Sequence, residues 1–234
     1  MLQFPAAGDN AAMQTEPSKA EPPKRRRRWF QFSLRTLMIF TLICAIAAGW
    51  LGTRIERKHQ EQAAVDAIRK LGGSVVYDYE SLNSTKPPKP PGPDWLRKLI
   101  GENFFSEVEG VLILGTSKVT DADLERLEGF PQLKTLMLGG NQSYTDAGLI
   151  NLRRLPQLQA LKLGTEVTDA GLIHLSGLSQ LNWLDLEGTH VTDAGLVNLK
   201  GLIQLKTLSV QRTNVTDVGV KDLQKALPNC NVIR

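Results

Sequence analysis

Along residues 108–234, apolar positions alternate between two spacings. In the run Leu172, Leu175, Leu178, Leu181, Leu184, Leu186, the first three leucines stand three apart and so share one face of a helix, while the last two stand two apart and share one face of a strand. The run recurs every 23 to 25 residues, each copy marked by the pair Thr120-Asp121, Thr145-Asp146, Thr168-Asp169, Thr192-Asp193 or Thr216-Asp217. Five repeats of strand then short helix are therefore expected, an α/β solenoid. A single coil cannot bury its leucines alone; stacking creates the core, and each buried Leu contributes about 2 kcal/mol at ~25 cal/mol per Å².

Upstream the pattern is different. Between Arg35 and Arg54 lie 18 uncharged residues, Leu37, Met38, Ile39, Phe40, Leu42, Ile43, Ile46 and Leu51 among them. As a helix they reach about 27 Å, close to the ~30 Å hydrocarbon core of a bilayer, and the flanking arginines can snorkel. Trp29, Phe30 and Phe32 before the run and Trp50 at its end suit the two membrane interfaces. A transmembrane helix over 35–53 is expected. Other readings of the same stretch are a signal peptide cleaved near Ala45-Ile46-Ala47, a twin-arginine signal at Arg27-Arg28, and a lipoprotein site at Cys44.

Residues 54–107 join span to repeats. Ala64, Ile68 and Leu71 share a helical face, Asp66 and Lys70 stand at i,i+4, and Gly72-Gly73 supply a stop, so the anchor helix continues as a stalk. Ser74 to Tyr79 alternates as a strand does. From Pro87 to Pro93, five of seven residues are proline, a polyproline II spacer or a docking motif for a proline-binding module. Asp94 is placed to cap a helix over Trp95 to Ile100, whose apolar residues would cover the open end of the repeats.

Charge sharpens this layout. Residues 1–35 hold seven Lys or Arg against three acids, the whole formal excess of +4, while the remainder holds 21 of each sign. The run Lys24, Arg25, Arg26, Arg27, Arg28 lies in a basic tail (1–34), next to the apolar segment, where it suits anionic lipid headgroups rather than nucleic acid. The same bias, against Arg54, Arg57 and Lys58 on the far side, places the N-terminus in the cytoplasm and the repeats across the membrane. Two cysteines, Cys44 and Cys230, make no disulfide framework.

The strings Leu133-x-x-Leu136-x-Leu138-x-x-Asn141 and Leu181-x-x-Leu184-x-Leu186-x-x-Thr189-x-Val191 resemble leucine-rich repeats, and the Val-Thr-Asp-Ala-Gly-Leu segments resemble the helical subclass of F-box-type adaptors. The layout as a whole is similar to bacterial membrane proteins with an Arg-rich tail, one anchor and a few such repeats. The resemblance implies a short horseshoe segment that binds protein. The first strand departs from it, written Val108, Val111, Ile113, as does the last copy, where Cys230 takes a leucine position; both suit end repeats. The third coil is a residue short between Leu163 and Val167.

The Thr or Asp before each helix is a natural N-cap, worth about 1 kcal/mol; the five Asp residues could instead be read as a metal ladder. Gly148, Gly171, Gly195 and Gly219 cost up to ~1 kcal/mol each in a helical turn. Close approach of adjacent coils would account for them. Within each strand, the residues between the leucines are expected on the concave face, five strands giving a face about 20 Å long. A protein or peptide partner would then meet Leu112, Met137, Lys162, Trp183, Asp185, Glu187 and Ser209. Trp183 is either a hot-spot anchor or a packing residue, and Leu112 and Leu114 could also lie beneath the N-terminal cap.

No catalytic constellation is read. His59, His174 and His190 lack metal-ligand spacing and are expected at the surface, and there is no Gly-x-Ser-x-Gly, C-x-x-C or phosphate-binding loop. No enzyme activity and no cofactor are expected. Asn83, Asn141 and Asn214 begin glycosylation sequons. An envelope-facing binding protein leads; a structural envelope role without a specific ligand and a ubiquitin-ligase-type substrate adaptor are the alternatives.

Overall fold

In the computed structural model, residues 34–78, 80, 90–101, 103–114, 118–139 and 143–234 are described. The basic run Lys24 to Arg28, the aromatic residues Trp29, Phe30 and Phe32, the prolines Pro87 and Pro88, and the sequon asparagines Asn83 and Asn141 lie outside them.

A continuous helix α1 runs Leu34–Lys70, carrying an apolar stretch that is long enough to cross a membrane and wholly exposed. Its residues to Ala48 form a unit of their own, and Gly49–Arg234 form the second. The second unit is built on one sheet of seven strands in chain order, β1 (Ser74–Tyr77), β2 (Val108–Ile113), β3 (Thr135–Leu138), β4 (Ala160–Lys162), β5 (Trp183–Asp185), β6 (Thr207–Ser209) and β7 (Asn231–Ile233). From β2 to β7 the pairing is parallel, and β1 runs antiparallel on the β2 edge. Two strands extend the expected five: β1, shorter than the Ser74–Tyr79 run read from the pattern, and β7, which follows the buried Cys230. With strands about 4.8 Å apart the sheet is about 29 Å wide rather than 20.

Register explains the leucines. Val111, Leu136, Leu161, Leu184 and Leu208 occupy one row across the sheet and are fully buried. The return path of each coil is a short helix or 3₁₀ turn: α3 (Asp121–Glu125), the 3₁₀ segment Gly148–Arg154, α4 (Asp169–Leu172), α5 (Asp193–Leu196) and the longer α6 (Asp217–Ala226). Their leucines, such as Leu149, Leu172 and Leu196, meet the strand leucines in one continuous core.

The Thr-Asp pairs divide their labour. Thr168, Thr192 and Thr216 are N-caps whose hydroxyls accept from the N–H of Ala170, Ala194 and Val218. The aspartates point the other way along the stack. Asp146 accepts from the backbone N–H of Thr168 at 2.9 Å and from its hydroxyl at 2.5 Å. The Asp121–Thr145, Asp169–Thr192 and Asp193–Thr216 pairs repeat this arrangement. Each coil is thus tied to the next through a carboxylate, and the cap role expected of Asp belongs to Thr alone.

The ladder also accounts for the glycines. A Cβ on Gly148, Gly171, Gly195 or Gly219 would stand 2.2, 2.4, 2.2 or 2.1 Å from the Oδ1 of the preceding coil's aspartate. In the first coil no aspartate precedes, and Asp123 fills the glycine's position. Its carboxylate takes the two donors that would otherwise be orphaned, the N–H and hydroxyl of Thr120, at 3.0 and 2.7 Å. The short third coil is sealed by Tyr144, which replaces the valine found there in other coils. Its hydroxyl accepts the Gly164 N–H at 2.6 Å, and burial pushes the phenol up to about 12.

The open end is capped by a different helix from the one expected. In the short helix α2 (Asp94–Ile100), Trp95 and Leu99 are exposed. Asp94 is its first residue rather than its cap, and ion-pairs with Arg97. The lid is the C-terminal part of α1, where Ala64, Val65 and Ile68 are buried in the repeat core. The stretch read as a stalk is therefore part of the folded unit. Ahead of that lid, Lys58 bonds Glu61 at 2.7 Å and the Ser106 carbonyl. Arg54 meets Glu107 at 3.4 Å and stacks on Trp50 and Phe104. Glu61 is buried, which raises its pKa.

Candidate functional site: the open strand face

Strand register brings the residues chosen from the pattern onto one face. One row across the sheet reads Ser74, Leu112, Met137, Lys162, Asp185, Ser209, Ile233. The neighbouring row reads Val76, Gly110, Thr135, Ala160, Trp183, Thr207, Asn231. Glu187 lies just beyond β5.

The face divides by chemistry. Its N-terminal part is apolar: Leu112 and Met137 are half-buried neighbours, and Leu114 is 57% exposed. Leu114 leans over Gly139, where a Cβ would meet its Cδ2 at 3.1 Å. Toward the C-terminal end lies an ionic network. Lys162 pairs with Asp185 and, at 4.0 Å, with Glu187. Glu187 also pairs with Arg212 at 3.2 Å, and the Glu187 N–H donates to Asp185 Oδ1 at 2.9 Å. On the same strand as Asp185, in the neighbouring row, stands Trp183, half-buried, with the small side chains of Ala160 and Thr207 beside it.

Two residues differ from the expectation that all seven stand open to a ligand. Asp185 is 7% exposed, because its carboxylate is enclosed by Lys162 and the Glu187 backbone, and Ser209 is 9% exposed, because its short side chain sits flush with the sheet. Arg212 was not singled out by the pattern. It reaches Glu187 from a left-handed backbone conformation (φ 55°), for which an arginine in the sequence gives no signal. His59 and His190 are exposed, whereas His174 is half-buried with Nδ1 covered. Among the described residues, no group of three His, Cys, Asp or Glu side chains is placed to hold a metal; of the five repeated aspartates, Asp121, Asp146, Asp169 and Asp193 are taken up by threonines and Asp217 pairs with Arg234.

No protein-family model and no curated protein matches the chain. Solved structures similar to it include leucine-rich-repeat proteins. Internalin C2 from Listeria monocytogenes is 28% identical over 46% of this chain and 44% of its own, at TM-score 0.37. A Leptospira interrogans LRR protein is 16% identical over 47% and 33%, at TM-score 0.34. The LRR ectodomain of the receptor kinase SOBIR1 from Arabidopsis thaliana is 14% identical over 74% and 90%, at TM-score 0.41. The chain spans less than half the length of the two bacterial proteins.

Proposed function

We propose that this chain is a membrane-tethered leucine-rich-repeat protein that holds a protein or peptide segment on its open strand face, on the non-cytoplasmic side. The observation that carries this reading is the division of the face. Leu114, Met137 and Trp183 offer apolar surface that is exposed or half-buried among the described residues, beside a charge network already held in place by its own ion pairs. A pre-organised face of this kind loses little freedom on binding, and aromatic anchors on such faces supply much of the affinity. The tether is α1, whose apolar stretch is exposed along its length. The basic residues Lys24 to Arg28 supply the charge bias that sets orientation and meet anionic headgroups.

Crosslinking in intact cells followed by mass spectrometry tests the face. Trp183→Ala and Met137→Glu are expected to remove the same discrete partner that Ile203→Ala, in an exposed turn off the strand face, leaves in place. An unchanged partner set in the first two variants overturns the reading. Protease applied outside sealed cells is expected to remove residues 54–234; protection of that segment overturns the orientation alone.

A further inference from the structure

The helical side of the stack carries a second unpartnered surface. Equivalent positions one residue after the inward-facing apolar residue of each helical segment (Leu124, Leu149, Leu172, Leu196 and the half-buried Val220) form the row Glu125, Ile150, Ile173, Val197, Lys221, all exposed. Beside it runs a flat row of small side chains, Ala122, Ala147, Ala170, Ala194 and Val218, also exposed. Three β-branched residues at consecutive coils are thus bounded by an acid at one end and a base at the other. Neither Glu125 nor Lys221 has an ion-pair partner among the described residues.

Read backwards, the row is its own complement. Glu125 opposes Lys221, Ile150 opposes Val197, and Ile173 lies at the centre. The adjacent row, Arg126, Asn151, His174, Asn198, Asp222, has the same order, with Arg126, which pairs with Asp123 in its own chain, opposing Asp222, which pairs with Lys200 and Lys225, with Asn151 opposing Asn198, and with His174 at the centre. An isologous two-fold contact, with its axis in the interface plane and perpendicular to the stack, makes every row meet itself reversed. Beyond the buried leucines that follow, Arg153 and Lys200 would face each other as like charges, so the contact ends there.

We infer that a second copy of this chain docks antiparallel on this strip, about a two-fold axis at the level of Ile173. Ile173 then meets Ile173 of the partner subunit, Ile150 meets the partner subunit's Val197, and Glu125 meets the partner subunit's Lys221. The apolar centre supplies attraction and the two end pairs select the antiparallel arrangement over the parallel one, which would set Glu125 against its own copy.

The test uses the full chain in detergent, with Cys44→Ser removing the exposed thiol of α1. Light scattering is expected to give a dimer. Glu125→Lys alone and Lys221→Glu alone are each expected to weaken it about tenfold, and the double exchange to restore it. Ile173→Cys is expected to form a disulfide-linked dimer on mild oxidation, while Gln211→Cys, beyond β6 at the strand face, is not. A monomeric chain, a dimer indifferent to the single charge reversals, a double exchange without recovery, or no crosslink at position 173 each overturns the proposal. All four positions are exposed, so the variants leave the core intact.

Discussion

Gly195 stands in a helical turn where alanine is normally better by about 1 kcal/mol, yet its Cβ would lie 2.2 Å from the Oδ1 of Asp169. Gly195→Ala is therefore expected to destabilise the protein, by the ~1–3 kcal/mol typical of overpacking. Removing the obstacle reverses the sign of the argument. In an Asp169→Ala background the same glycine change costs much less, so thermal unfolding of the two single variants and the double yields a non-additive cycle; simple additivity would show that the carboxylate is not what excludes the side chain. Asp193 makes the complementary case by pH. The Thr216 hydroxyl and then its backbone N–H hold the Asp193 carboxyl below its ordinary value. A lowered folded pKa contributes stability at neutral pH that is lost as pH falls through it. Asp193→Asn is expected to shallow the acid side of a stability–pH curve and to leave its slope above pH ~6 unchanged, as read by denaturant unfolding at several pH values.

At the level of elements, two helices compete for the role of lid, and local pattern favoured the wrong one. Trp95, Leu96, Leu99 and Ile100 are denser in apolar side chains than Ala64, Ile68 and Leu71, but density does not say which helix reaches the open end. The continuation of α1 does, because it leads through Gly72-Gly73 directly into β1, which pairs on the β2 edge. Gly73 is itself a close approach, where a Cβ would lie 2.8 Å from Ile68. Ile68→Ala is expected to cost about 2–4 kcal/mol as a core truncation, and Leu99→Ala to stay within about 0.5 kcal/mol as a surface change. Chemical denaturation distinguishes them, and equal effects would return α2 to the lid.

Across the whole molecule, the coil period, the strand-then-helix order and the outward-facing residues of the sheet are legible because leucine spacing reports side-chain direction at short range. The partners of Asp121, Asp146, Asp169 and Asp193 are not legible, since each lies 22 to 24 residues away and only stacking brings it near. Asp123 is the instructive residue, because it reads as one more acid in a helix turn until the missing preceding coil explains it. The burial of Asp185 and Ser209 was hidden for a related reason: alternation places a side chain on a face without saying how far it rises above its neighbours.

The Asp–Thr ladder has a consequence for how such a chain can change length. Each interior coil carries one threonine that looks back and one aspartate that looks forward, so it fits its neighbours as a tile fits its own copies. A tandem duplication of one such coil, or the loss of one, leaves each ladder aspartate and threonine at the new junction with a mate. Inheritance can lengthen or shorten this array in whole coils without stranding a ladder carboxylate, while the first coil, where Asp123 takes up the donors of Thr120, leaves no donor there for the aspartate of a coil before it.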